Sequence, residues 1–200
     1  MKVPTLFRPQ RGFTLIELLV VIAIIMVLAA AGFAVGTAAL NRALKLKAQN
    51  AATAVDQAVN AFYSEYGGFP TDGDSSTINT GTPAGAILLN ILLGGDDATS
   101  RQYNPRGMSF LAIKEGKRQG TGGMDGVVFD ASGTALGLYD PWGNPYTVEM
   151  DTEFNDYLEF TPAGIDGATE VRLNRRRVAV YSPGVPVGDT ASMKTMVKTW

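Results

Sequence analysis

The chain has 200 residues, 46% of them apolar and 18% charged, with a formal net charge of −2 and neither cysteine nor histidine. Those absences exclude a disulfide scaffold, a Cys/His zinc site and any triad or dyad built on these side chains. The composition is too apolar for a disordered chain and too acidic for a general nucleic-acid binder, and the length fits one small globular unit plus an appendage.

Residues 1–12 carry Lys2, Arg8 and Arg11 and no acid. After Phe13-Thr14-Leu15-Ile16-Glu17 comes an uncharged run of 24 residues, Leu18–Asn41. As a helix that run measures about 36 Å, enough to cross a hydrocarbon core of ~30 Å. Its first part, Leu18–Val35, is apolar on every face, so it belongs in lipid or inside a helical assembly. The basic start predicts a cytoplasmic amino terminus and an exported remainder. A secretory signal peptide cut near Ala29-Ala30-Ala31 is the plainer alternative, but the run is long for one and Glu17 is costly at its edge.

Arg11-Gly12-Phe13-Thr14-Leu15-Ile16-Glu17-Leu18 resembles the prepilin processing site of type IV pilins and type II secretion pseudopilins. The resemblance implies a prepilin leader over 1–12, cleavage between Gly12 and Phe13 by the prepilin peptidase, and N-methylation of Phe13. It makes residues 13–41 a transmembrane and filament-core helix. Cleavage exposes a new ammonium group at Phe13, and Glu17 of a neighbouring subunit pairs with it. In low dielectric, removing one partner strands the other at about 3–5 kcal/mol, so Glu17 sets the register of assembly. Many members of the family carry proline where this chain has Ala34, so no proline kink is expected here.

From Leu40 the apolar pattern narrows to one stripe: Leu40, Leu44, Ala48, Ala51, Val55, Ala58, Val59, Phe62 and Tyr66. Arg42, Lys45, Gln49, Thr53, Asp56, Asn60 and Ser64 take the opposite face, which predicts an amphipathic stalk helix over 42–66. Gly67-Gly68-Phe69-Pro70 ends it.

Residues 67–200 form the predicted periplasmic globular domain. Thr71–Ser76 reads as a loop, and Pro83–Leu93 as a short helix stopped by Gly94-Gly95. Arg118–Gly126 reads as a mobile glycine-rich connection. Tyr146–Met150 and Tyr157–Thr161 alternate and predict an antiparallel hairpin, and Arg177–Tyr181 a further strand. The expected fold class is α+β and pilin-like: a long amino-terminal helix packed on a small antiparallel sheet.

Asp140-Pro141-Trp142-Gly143-Asn144-Pro145-Tyr146 is dense in turn formers, with Trp142 expected to anchor it in the core. Together with Tyr63–Pro70 it resembles the major pseudopilin of type II secretion. Type IV pilins usually close a carboxy-terminal loop with a disulfide, which this chain lacks. The tail from Tyr181 to Trp200 resembles the family's calcium-binding loop. The acidic positions of that loop are Pro186 and Met196 here, and Asp189 is the sole acid after Glu170. No metal site of the family type and no cofactor is therefore expected, the alternative being weak calcium binding by main-chain carbonyls with Asp189.

Three further signals are set aside. Gly120, Gly122, Gly123 and Gly126 lack the Lys-Ser/Thr of a phosphate loop. Arg172, Arg175, Arg176 and Arg177 read as a solvated edge, with contact to acids of a neighbouring subunit as the alternative. Asp96-Asp97 and Asp72/Asp74 read as solvated turns, and no pocket of convergent polar groups is expected in 67–200.

The role that follows is structural, not enzymatic: a single-pass inner-membrane precursor that polymerises into a pseudopilus and drives protein export. Its implied partners are further copies of itself, the prepilin peptidase, the inner-membrane assembly platform and minor pseudopilins, with no nucleic acid. The alternatives are a type IV pilus subunit for adhesion, motility or DNA uptake, and a membrane-anchored periplasmic binding domain without a filament.

Overall fold

The computed structural model describes residues 12–71, 75–185 and 190–200, and in the first helix all side chains except those of residues 31–35, 37 and 38. The chain divides into two compact units, Met1–Arg42 and Ala43–Trp200. A single helix, α1, runs unbroken from Leu15 to Tyr66 through both. It stops where Gly67 takes a left-handed φ of 72°, its N–H still donating to Tyr63 O at 2.8 Å.

Within the second unit the buried stripe of α1 begins at Ala48 and continues through Ala52, Val55, Ala58, Val59 and Phe62. Leu40, expected in that stripe, is 66% exposed. The stripe is lined by small residues, which lets the backbone of the helix lie close to what it covers.

That partner is a four-stranded antiparallel sheet in the order β1 (Thr77–Asn79), β6 (Thr147–Met150), β9 (Val178–Ser182), β10 (Val197–Lys198). Register places Val148 opposite Val180 and Met150 opposite Val178, and all four join Val55, Val59 and Phe62 in one core. The alternate residues, Thr147, Glu149 and Tyr181, face the other way. Tyr181 there joins a second, smaller core with Ile165, Ala191 and Met196, against which Phe160 and Trp200 pack. Both faces of the sheet are thus covered, which explains why every residue of β6 and β9 is buried.

The predicted hairpin of Tyr146–Met150 with Tyr157–Thr161 does not form. β7 (Tyr157–Phe160) pairs instead with β8 (Val171–Asn174), and β6 pairs with β1 and β9. Alternation marks a strand without naming its partner. The expected mobile connection is also structured: β2 (Lys117–Gln119) and β3 (Gly122–Met124) form a tight hairpin. Its Gly123 lies so close to Val128 and Tyr139 that a Cβ would meet a Val128 methyl at 2.2 Å.

Helix α2 (Pro83–Leu93) matches its predicted bounds. Thr82 caps it by accepting from Gly85 N at 3.3 Å, and Gly94 ends it at φ 77°. A short helix, α3 (Ala98–Tyr103), follows; Asp97 is its cap, and Asp96 pairs with Arg101 at 2.5 Å. Of the acids expected in solvated turns, Asp96 and Asp97 thus have local work, while Asp72 and Asp74 lie outside the described residues. Strands β4 (Gly126–Phe129) and β5 (Ala135–Tyr139) pair beneath α2. There Asn90 of α2 exchanges two hydrogen bonds with the backbone of Ala135, at 2.9 and 3.0 Å, and so satisfies a buried strand end. Among the described residues no buried side-chain nitrogen or oxygen lacks a partner.

Candidate functional site

Gly12, Phe13 and Thr14 precede the helix, and Phe13 is 79% exposed. The Gly12–Phe13 bond thus lies outside helical structure, open to a peptidase without any unwinding. Thr14 begins the helix by a reciprocal cap. Its N–H and hydroxyl donate to Glu17 Oε2 at 2.8 and 2.7 Å, and Glu17 N donates back to the hydroxyl at 3.3 Å. Thr14 is a cap that the resemblance alone does not reveal. Its signal is a Thr followed three residues later by Glu, ahead of an apolar run. The cap holds the Glu17 carboxylate at the very start of the helix, about one turn from Phe13.

From Leu15 to Leu28 every large apolar side chain is between 45% and 88% exposed. Exposure on all faces over such a length marks a surface made to be covered by lipid or other chains. Among the described residues no helix is long and apolar enough to cross a membrane. The described apolar side chains reach Ala30, short of the roughly 20 residues a span requires; the sequence stays apolar beyond, through residues whose side chains lie outside the description.

The Asp140–Tyr146 turn is built around one carboxylate. Asp140 is fully buried, and its Oδ1 accepts from the backbone N–H of Trp142 and of Asn144, both at 2.9 Å. Its Oδ2 accepts from Ser182 Oγ at 2.9 Å, which ties the turn to β9. Asn144 Nδ2 reaches Val185 O at 2.8 Å, and Gly143 supplies the φ of 94° that closes the loop. Pro141 and Pro145 flank the turn, and Trp142 is half-buried against the main core. Tyr146 is fully buried, and its hydroxyl donates to Ala48 O of α1 at 3.1 Å. Burial drives that phenol far above its ordinary value, so it stays a neutral donor. These residues hold the fold together; none presents a free reactive group.

Residues 7–33 match the family model for the prokaryotic N-terminal methylation motif. The chain carries a prepilin-type signal. Comparison with curated proteins gives no match, and comparison with solved structures gives none. The methylation motif is the signal of type IV pilin-like proteins, pilins and pseudopilins alike, whose chains are processed by a prepilin peptidase and assemble into filaments.

The arginine cluster is largely the solvated edge expected, with Arg172, Arg175 and Arg177 exposed, and the acids it meets come from the same chain. Arg172 pairs with Glu159 at 2.9 Å, Arg176 with Asp56 at 2.8 Å, and Arg177 stands 3.9 Å from Asp156. Arg175 takes a left-handed φ of 56° and donates its N–H to Asp156 O at 2.7 Å. Asp56, expected on the solvent face of α1, is only 13% exposed for this reason.

Of the tail positions singled out for calcium, Pro186 and Asp189 lie outside the described residues, and Met196 is buried in the second core. No cluster among the described residues has three or more side chains arranged to hold a metal ion.

A polar cavity of about 460 Å³ does form, contrary to the sequence expectation, between β1, β6, β7 and the loop joining the last two. Glu149, Asp151, Glu153 and Glu159 line it. Ser76 and Thr77 complete the lining from a distant part of the chain, and all four acids come from one short stretch, β6, the loop after it and β7. Each is engaged by the chain's own donors: Glu149 by Thr77 and Tyr181, Asp151 by the N–H groups of Asn155 and Asp156, Glu153 by Asn155, and Glu159 by Arg172.

Proposed function

We propose that the chain is the major structural subunit of a type II secretion pseudopilus. The precursor is cut between Gly12 and Phe13, and Phe13 is N-methylated. Residues 13–41 hold the subunit in the inner membrane, with the amino terminus cytoplasmic and the globular part periplasmic. An inner-membrane assembly platform then draws subunits into a helical filament, with minor pseudopilins as further partners. The apolar side chains of α1 pass from lipid to the company of other helices, so polymerisation needs no new apolar exposure. Glu17 pairs with the new Phe13 amine of a neighbour and fixes the stagger of the stack. The reading assigns the subunit no bond chemistry and no cofactor.

The observation that carries this reading is the methylation motif at residues 7–33 set at the head of a helix whose apolar side chains are exposed on every face. The choice of secretion over a surface pilus rests on the Asp140–Tyr146 turn and on the lack of any cysteine for a carboxy-terminal disulfide loop. The deciding experiment is the mass and first residue of the mature protein from membranes. A chain starting at methylated Phe13 is expected. A chain starting near Gly32, or one that keeps its first 12 residues, overturns the proposal.

A further inference from the structure

The unit Ala43–Trp200 exposes four large apolar side chains among its described residues: Leu46, Met108, Leu136 and Phe154. The two most open are Leu46 at 62% and Phe154 at 59%. Their immediate neighbours along the chain differ in charge. Leu46 lies on α1 between Lys45 and Lys47, both exposed. Lys47 shares the single carboxylate of Asp125 with Lys114, and Lys45 has no ion-pair partner among the described residues. The neighbourhood of Leu46 therefore keeps an excess of positive charge. Phe154 sits between exposed Glu153 and Asn155, with Asp156 beyond. Asp156 stands 3.9 Å from Arg177, so Glu153, which meets the amide Asn155 Nδ2 at 3.1 Å and no cation among the described residues, is the acid beside Phe154 left without an ion pair.

Phe154 is held in this position. Its φ is 55°, and that of Asp156 is 63°, a left-handed conformation that bulky residues rarely take. The loop is fastened by Asp151, whose carboxylate accepts from Asn155 N at 3.1 Å and Asp156 N at 2.9 Å. One side of the ring rests on Phe69, with centroids 6.0 Å apart and planes 26° apart, and Tyr63 is 6.2 Å away. An aromatic side chain fixed in a strained loop with its outer side in water is a prepared anchor, since little freedom is left to lose on binding. Along α1, Leu46 and Tyr63 are 17 residues apart, which is about 25 Å at ~1.5 Å per residue. The two apolar spots thus lie at different levels of the same unit.

We infer that these spots meet between copies: Phe154 of one copy packs on Leu46 of the next, and Glu153 faces Lys45. An apolar centre bordered by opposite charges gives both adhesion and choice of register. The contact joins two different surfaces, so each added copy leaves one Leu46 and one Phe154 unused. That is the head-to-tail kind of interface that propagates into open stacks rather than closing as a dimer. The inference rests on the filament reading above and names the globular surfaces that meet within it.

The lack of cysteine makes the test direct. Gln49→Cys and Asn155→Cys are placed together in the full-length chain, beside but not on the anchors, and membranes from cells expressing it are oxidised. Both residues are exposed. The expected result is a ladder of dimers, trimers and higher species, while either single variant stops at dimers. Adding Lys45→Glu is expected to reduce the ladder about tenfold, and adding Glu153→Lys to that variant to restore it. If the parent chain sediments as filaments but the double-cysteine variant gives no species above dimer, the docking is wrong and the filament reading stands. A ladder indifferent to Lys45→Glu overturns the charge pairing. A parent chain that does not sediment, together with a double-cysteine variant that gives no ladder, overturns both.

Discussion

Arg176 Nη2 donates to Asp56 Oδ2 at 2.8 Å, and the same nitrogen donates to Thr199 O at 2.7 Å. One guanidinium therefore joins α1, the start of β9 and the carboxy-terminal end, while its Nε donates to Val178 O at 3.0 Å. Its side chain is 34% exposed and that of Asp56 13% exposed, so the pair is largely shielded from water. Arg176→Ala is expected to destabilise the globular part by about 2 kcal/mol, the cost of losing charge-assisted hydrogen bonds and leaving Asp56 uncompensated. Asp56→Asn, which keeps an oxygen acceptor, is expected to cost less. Urea unfolding of both variants followed by tryptophan fluorescence measures the difference.

Asp140 organises the turn that ends at Tyr146. Asp140→Ala leaves the N–H groups of Trp142 and Asn144 and the Ser182 hydroxyl without their acceptor in a buried place. A loss of about 3 kcal/mol or more is expected, against about 1 kcal/mol for Ser182→Ala. Limited proteolysis of the Asp140 variant should cut at the turn before any cut elsewhere in the globular unit. Equal stability of the two variants would sink the view that Asp140 organises the turn.

The charge and the helix-capping role of Glu17 are separable. Glu17→Gln keeps a side-chain oxygen able to accept from Thr14 but removes the negative charge. Thr14→Val keeps the charge and removes the cap, at about 1 kcal/mol of helix stability. Cleavage at Gly12–Phe13 is expected in both, since that bond precedes the helix. Assembly is expected to fail in the glutamine variant and to persist, weakened, in the valine variant. Sedimentation of sheared filaments reads this directly, and filaments formed normally by Glu17→Gln would refute the role given to the charge.

Glu149 brings a pH dependence of opposite sign to that of most acids. It is 4% exposed in the outer face of the sheet, and burial pushes its carboxyl above the ordinary value of 4.5. The folded chain thus holds this proton more firmly than the unfolded chain does. Its contribution is most favourable below the ordinary value and is lost as pH rises through the raised folded one. Asp97 works the other way: the Ser100 hydroxyl holds it below its ordinary 3.8, so its contribution is present above that value and is lost on acidification. Glu149→Gln retains acceptors for Thr77 and Tyr181. The variant is expected to be more stable than the parent at pH 7, and this advantage should shrink toward pH 4 in urea titrations.

What the sequence determined by itself was everything governed by neighbours along the chain. The apolar run ahead of Asn41, the Gly67 stop, the bounds of α2 and the residues around Gly12–Phe13 follow from helix period, backbone geometry and charge within a few positions. The strand segments at β6, β7 and β9 were legible for the same reason, through alternation. Tertiary structure alone decided which strands pair: alternation assigns faces but not partners, so β7 joins β8 and β6 lies between β1 and β9. It alone paired Arg176 with Asp56 and Arg172 with Glu159, and brought Ser76 and Thr77 against the β6–β7 stretch to complete a polar cavity. Those arrangements join residues up to 120 positions apart, and their energy depends on burial and distance, quantities that exist only once the chain has closed on itself.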